Sequence, residues 1–327
     1  MYPPDKSRLL LKGVLSCTTQ EPSGGPPYEA DSLLLEVTAG CTHHACKFCT
    51  LYEDLPFRFR MTPLEDVEAD LREAQMLLND PMGKLSARLL GLPESGGAKR
   101  VFLVGANPFV LSFSRLEAIA ELIRTYLPSC RTIGCFARVT DAAAKTDGEL
   151  RRLRELGYDG ISIGVETGDG ESLAFMNKGY RPEDIVEQAA RLDGAGISYR
   201  FMYLAGLPGA GRCGEGAEAS ARIFNQTRPQ LIGSSMLTVF PASGLYGELQ
   251  AGRWQEAGEL EKLGELRRLV ELLDIPVLFA TLGASNAVWV QGRLPEDREK
   301  LLAALDEACR ERSEAELRHY RTHLPHL

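Results

Sequence analysis

No apolar run in the 327 residues is long enough to cross a bilayer as a helix, and the opening residues, Met1-Tyr-Pro-Pro-Asp-Lys6, lack the apolar stretch of a secretory signal. The expectation is a cytoplasmic protein with no membrane partner. Basic blocks interleaved with aromatics are also missing and the formal net charge is −8, so broad attraction to nucleic acid is not expected. Cysteine is scarce, with eight residues placed too irregularly for the disulfide framework of a secreted domain. Five of them, Cys17, Cys130, Cys135, Cys213 and Cys309, form no second C-x2-C pair and read as small buried side chains or isolated thiols.

What is present is ordinary globular composition, 44% hydrophobic and 25% charged. Residues 1–30 are rich in Pro, Gly and Ser and read as an extension wrapped on the surface, with one short strand at 9–15 and a place over part of the site. Residues 32–37 form a near-continuous apolar run, as expected of a parallel strand buried on both faces. After them Thr62-Pro63 opens a helix, with Thr62 as its cap. Further strands are expected at 100–104, 132–136, 160–165, 199–204, 231–240 and 276–282. Helices alternate with them at 114–126, 147–156, 182–195, 215–225 and 259–273, and a last charged helix is expected at 295–320. Repeated βα units mean a parallel sheet with helices outside, here a partial (β/α)6-type barrel. The expected division is an N-terminal extension 1–30, a core 31–245 and a mostly helical C-terminal region 246–327.

On such a scaffold chemistry collects where strands end. The first strand runs into Cys41-Thr-His-His-Ala-Cys46-Lys-Phe-Cys49, which gathers three thiols into one short loop. Thiolates are soft ligands suited to zinc or iron–sulfur clusters. A closed zinc site or a simple electron-transfer cluster wants four protein ligands, whereas three thiolates on a [4Fe–4S] cluster leave one iron open. A zinc knuckle completed by His43 or His44, or three reduced thiols without a partner, are the competing readings.

A strand ending in a three-cysteine loop, with aromatic Phe48 before the last cysteine, resembles the radical S-adenosylmethionine (SAM) superfamily. The first spacing is x4 here, where most members have x3. The resemblance implies that Cys41, Cys46 and Cys49 hold an oxygen-sensitive [4Fe–4S] cluster. SAM chelates the open iron, and an electron from the cluster cleaves it to a 5′-deoxyadenosyl radical. It extends to Gly105, Ala106 and Asn107, in the place of a Gly-Gly-Glu-like motif that holds the SAM amino group, although Asn107 replaces the acid. Gly160-Ile-Ser-Ile-Gly-Val-Glu166-Thr-Gly168 followed by Met176-Asn-Lys-Gly179 is similar to members of the elongator-subunit, coproporphyrinogen-dehydrogenase and methylthiotransferase type, and implies that Glu166 binds the SAM ribose. Position alone leaves Glu166 the other role of capping the next helix, and Lys178 reads as a solvated helix-end lysine. Gly206 and Pro208 lie in the turn that the resemblance brings near adenine.

Arg138, Tyr203, Thr238 and Asn286 are expected at strand exits facing substrate, with Arg138 also suited to the SAM carboxylate. His319, His323 and His326 have helix-like spacing but no partner, and read as a frayed, solvated terminus. Gly209-Ala-Gly211-Arg-Cys-Gly214 formally matches G-x-G-x-x-G, yet the next strand supplies no acid for a ribose, so a nicotinamide-dependent oxidoreductase is the weaker alternative. The other is a zinc- or cluster-binding regulatory protein without turnover. The resemblance further implies a flavodoxin- or ferredoxin-type electron donor and a small-molecule substrate. With no second cysteine cluster, methylthiotransfer and auxiliary cluster domains are not expected, nor is a preceding cobalamin domain.

Overall fold

The computed structural model describes residues 26–82, 85 and 98–324; the expected strand at 9–15, Cys17 and His326 lie outside them. The described strands are β1 (Leu33–Glu36), β2 (Thr38–Gly40), β3 (Phe59–Met61), β4 (Arg100–Val104), β5 (Thr132–Ala137), β6 (Ile161–Glu166), β7 (Tyr199–Ala205), β8 (Leu231–Met236), β9 (Val277–Thr281) and β10 (Gln291–Leu294). The helices are α1 (Leu64–Asn79), α2 (Phe113–Tyr126), α3 (Val139–Ala143), α4 (Asp147–Glu155), α5 (Gly170–Phe175), α6 (Pro182–Ala195), α7 (Cys213–Phe224), α8 (Gly244–Gln250), α9 (Glu259–Leu272), α10 (Arg298–Glu311) and α11 (Glu314–Thr322). One sheet runs in the order β1-β4-β5-β6-β7-β8-β9-β10, parallel throughout except for β10. Its two edges do not meet among the described residues, so the barrel is partial, as expected.

The strand period of two decides what each side chain does. Along β7, Tyr199, Phe201, Tyr203 and Ala205 are buried, while Arg200, Met202 and Leu204 between them are half-buried. The buried set packs outward under the helices, with the Phe201 and Phe224 rings 5.3 Å apart and Tyr203 edge-on to Phe224 at 6.1 Å. The half-buried set therefore faces the lumen. There Tyr28 Oη reaches Met202 Sδ at 3.6 Å and Ser162 Oγ at 3.0 Å.

Residues 26–29, the described part of the expected surface wrap, turn inward instead. Glu29 is 3% exposed and plugs the barrel at the start of the strands, opposite the strand exits, where it takes Arg100 Nε at 2.7 Å and Arg200 Nη1 at 2.5 Å. It lies at the far end from the cysteine loop. A buried carboxylate needs such partners, and two arginines, at the starts of β4 and β7, supply them from across the barrel.

Smaller differences also have local causes. Thr62 does not cap α1; Pro63 holds the cap position without a side-chain bond, and the Thr62 hydroxyl is buried. β8 stops at Met236, which pairs with Ala205, the last residue of β7; pairing with β9 has already ended at Ser234, and the Met236 N–H donates to Ser285 Oγ at 3.1 Å. The last helix is two helices, since Ser313 and Glu316 form a capping box that starts α11. That terminus is anchored rather than frayed through Thr322: Arg321 is 3% exposed and donates to Glu259, Thr238 Oγ1 and the carbonyls of Met236 and Ser285. His319 and His323 remain exposed beside each other, with rings 4.0 Å apart.

Candidate active site

Residues 41–58 leave the sheet through a two-stranded ribbon in which β2 pairs antiparallel with β3. The Cys41 N–H donates to the Arg58 carbonyl at 3.0 Å and closes the loop. Gly40 makes this closure possible: its φ is +77°, and a Cβ there would stand 2.3 Å from the Arg58 oxygen. Cys41, Cys46 and Cys49 are free and half-buried, with the Cys49 N–H on the Cys46 carbonyl at 3.2 Å. Burial pushes the Cys46 thiol up and that of Cys49 to about 11, so ligation must expel protons from this loop. The loop is pinned by Lys47 N–H on the Met176 carbonyl at 3.2 Å and Leu245 N–H on the Lys47 carbonyl at 2.7 Å. Phe48 packs against the cluster of Met176, Leu207, Leu237, Leu245 and Trp254. His43 Nε2 faces the Asn177 carbonyl, which only accepts, so that nitrogen is committed as a donor.

Beside the loop, β4 ends in Gly105, whose φ of +123° lets its bare Cα lie against Thr38. Asn107 follows, fully buried. Its Nδ2 donates to Thr42 Oγ1 at 3.0 Å and to both Asp141 oxygens at 3.1 and 3.2 Å, while its Oδ1 has no hydrogen-bond partner among the described residues. Arg138, at the exit of β5, sends its guanidinium to Thr140 Oγ1 at 3.2 Å and to the Lys178 carbonyl. Its Nε is buried and has no partner among the described residues.

Glu166 ends β6 after a bulge in the pairing with β7 and adopts a left-handed backbone, φ +61°. Its Oε1 accepts from Lys178 Nζ at 3.1 Å. Lys178 is 4% exposed, not solvated: burial alone would lower its pKa, but the Glu166 carboxylate outweighs that and holds it above the usual lysine value. Nor does Glu166 cap α5, because Asp169 does so through Ser172 N at 3.1 Å. Three non-glycine residues have positive φ among the described ones, His44, Glu166 and Asn177, and all lie on this face. Such conformations cost on the order of 1–3 kcal/mol each and persist where the surrounding structure over-determines them.

The fourth contribution is the turn after β7. Gly206 has φ +96°, and the place of its Cβ is taken by the Lys262 side chain, 3.0 Å from Cε. Behind it the buried Glu265 accepts the Gly206 N–H at 2.8 Å and the Tyr203 hydroxyl at 2.5 Å. Pro208 leans on α7, where Gly216 leaves room for its ring.

Residues 35–212, more than half of the chain, match the family model for the radical SAM superfamily. The chain belongs to the radical SAM superfamily. Over 114 residues it is 26% identical to the heme chaperone HemW of Bacillus subtilis, which is 34% of this chain and only 30% of that protein. Coproporphyrinogen III oxidase HemN of Escherichia coli, described as a radical SAM enzyme, shares the fold with a TM-score of 0.52 at 17% identity, over 81% of this chain and 60% of HemN. The archaeal Elp3 of Methanocaldococcus infernus gives 0.48 at 14% identity over 75% of this chain and 56% of Elp3.

As a superfamily member the chain is an enzyme whose cofactors are a [4Fe–4S] cluster and SAM, and membership favours this over a nicotinamide enzyme or a metal-binding regulator. No helix among the described residues is long and apolar enough to cross a membrane. The site residues fit that cofactor pair. Three free thiols share one loop, and although no three His, Cys, Asp or Glu side chains among the described residues converge on a single-ion site, separate irons ask for separate thiols. The unpartnered Asn107 oxygen offers an acceptor beside them. Of the formal G-x-G-x-x-G glycines only Gly209 is packed, against Trp254; Gly214 falls inside α7, and a Cβ at Gly211 or Gly214 would meet nothing within 4 Å.

Three expectations change. Tyr203 faces α9, not substrate, because it belongs to the buried set of β7; Met202 and Leu204 occupy the lumen positions. Thr238 is engaged by Arg321, and the fully buried Asn286 donates to the carbonyls of Ser234 and Leu282. Both are built into the closure of the C-terminal segment. Sequence reasoning passed over Asp141, Glu265 and the burial of Lys178. The first had a signal, an acid three residues after Arg138 at a helix start, and the others had none that is local.

Proposed function

We propose that this chain uses the cluster and SAM to abstract hydrogen from a small-molecule substrate held in the barrel lumen. One observation carries the reading: the three-thiol loop, the Asn107 acceptor, the Glu166–Lys178 pair and the Gly206 turn all stand at the same end of the parallel strands of one sheet. When bound and reduced, the cofactor pair supplies a 5′-deoxyadenosyl radical. Cys41, Cys46 and Cys49 are assigned as cluster ligands, with Phe48 packed behind them. Gly105, Ala106 and Asn107 take the SAM amino group, Arg138 its carboxylate, and Glu166 its ribose hydroxyls. Gly206 and Pro208 flank the adenine.

Lys178 fixes one oxygen of Glu166 and leaves the other to accept, so the carboxylate is oriented before a ribose arrives. Gly164 makes room for that orientation, since a Cβ there would stand 2.8 Å from Glu166 Oε1. Phe136, Met202 and Leu204 line the lumen with apolar surface that excludes water from a reacting hydrogen. Residues 31–245 carry this site, and 246–327 brace it from outside through Lys262, Glu265 and Arg321. A flavodoxin- or ferredoxin-type protein serves as the electron donor.

The test is anaerobic. The protein is reconstituted with iron and sulfide, reduced with dithionite and given SAM, and 5′-deoxyadenosine and methionine are measured by mass spectrometry. Cleavage that vanishes in the Cys41→Ala/Cys46→Ala/Cys49→Ala variant supports the assignment. A well-formed cluster without cleavage, or stoichiometric zinc in anaerobically isolated protein, overturns it.

A further inference from the structure

Asn107 poses a chemical problem. An amide is a weaker acceptor than the carboxylate it replaces, and a cationic or strongly donating amino group prefers a charged partner. The structure supplies the missing charge one residue back. Both hydrogens of the Asn107 amide are used by neighbours that only accept in this arrangement: Thr42 Oγ1 at 3.0 Å and the Asp141 carboxylate at 3.1 and 3.2 Å. That assignment fixes the amide's orientation, because an Oδ1 turned towards the carboxylate would set two acceptors against each other. Oδ1 therefore points away from Asp141, is buried, and has no partner among the described residues.

Asp141 is itself 2% exposed and takes the Arg138 backbone N–H at 2.8 Å. The nearby Lys145 ammonium does not neutralise it by direct contact, since it donates to the Phe109 and Asp141 carbonyls. The carboxylate thus divides its charge between the Arg138 N–H and the Asn107 amide. A chain of hydrogen bonds polarises its members, so an amide donating to a carboxylate carries a more negative oxygen. Thr42 follows Cys41 directly, which places this polarised oxygen next to the thiol loop.

We propose that Asp141 and Asn107 act together as a divided acidic acceptor, in which Asn107 Oδ1 receives the amino group of SAM and Asp141 provides the charge from behind. This rests on the SAM assignment made above. Asp141 is then a positioning residue, set apart from its plain role as the N3 acid of α3.

The experiment measures binding, without turnover, to the cluster-reconstituted protein kept oxidised. Equilibrium dialysis compares SAM with 5′-methylthioadenosine, which shares the adenosine and lacks the amino acid. Asp141→Asn keeps the shape and an oxygen for the Arg138 N–H, and is expected to weaken SAM about tenfold while leaving methylthioadenosine within about twofold. The swap Asn107→Asp/Asp141→Asn moves the carboxylate to the contact position and should restore SAM affinity. Equal weakening of both ligands, or a swap that rescues nothing, reduces Asp141 to a helix cap and overturns the proposal. If Asp141→Asn does not fold, Asn107→Ala must show the same SAM-selective loss, and its absence is equally decisive. Failure of the unaltered protein to bind either ligand would instead overturn the SAM assignment beneath it.

Discussion

The two mouths of the partial barrel are both lined with charge, yet they are built differently. At the strand starts, Glu29 is matched by Arg100, Arg200 and Ser32, with its arginine contacts at 2.5 to 2.8 Å. At the strand exits, Asn107 Oδ1 and Arg138 Nε are buried without partners among the described residues, and His44, Glu166 and Asn177 hold left-handed backbones. Buried polar groups in folded proteins are normally satisfied, and strained residues are normally relaxed. The satisfied mouth is therefore where the fold is held closed. The unsatisfied one is where the proposed function puts SAM and the cluster.

Substitutions should separate the two mouths, beginning with the largest effect. Replacing the three loop cysteines with alanine is expected to abolish SAM cleavage while moving the melting temperature little, since the thiols are only half-buried; a calorimetric scan beside the product assay checks both. Glu29→Ala should do the reverse. Leaving two arginines unmatched at the closed mouth costs about 3–5 kcal/mol in chemical denaturation, with SAM affinity of the folded fraction unchanged. Burial works against the Glu29 carboxylate, but its arginine and serine bonds hold its pKa below 4.5. Its contribution is thus present above pH 4.5 and lost as pH falls through the lower folded value. If Glu29→Ala impaired SAM binding instead, the division between the mouths would collapse.

Glu265 titrates in the opposite sense. Burial first, against the bonds from Tyr203, Cys213 and Gly206, raises its pKa to about 7 from 4.5. A folded acid with a raised pKa stabilises fully below pH 4.5, and that stability drains away as pH climbs towards 7, by on the order of 3 kcal/mol. Melting curves from pH 4 to 8 should show this slope in the unaltered protein and a flatter one in Glu265→Gln. The smallest effect is expected from Tyr203→Phe, which removes one hydroxyl from Glu265 and costs about 1 kcal/mol. Denaturation measures that loss, while the substrate dependence of SAM cleavage should not move; a large change there would return Tyr203 to the lumen.

Much of this was legible in the chain. Local patterns carried the parallel strands and their helices, and the bounds of α6 agree with the expected 182–195. The hairpin of β2 and β3 was missed because three-residue strands have too few positions to show a period. The reading of Lys178 failed for a different reason. A lysine near a helix end is solvated unless something distant covers it, and here Phe48, Tyr180 and Glu166 do.

The sequence by itself determined that three thiols share one loop after a buried strand, and that repeated βα units bring strand exits to one face, because ligand spacing and hydrophobic period are properties of neighbouring residues. Only the tertiary structure decided which side chain meets which. Glu166 finds Lys178 across 12 positions, Asn107 finds Asp141 across 34, and Tyr203 finds Glu265 across 62. Such pairs depend on strand register, a bulge and the angle at which a helix lies on the sheet, and those are set by the packing of the whole core.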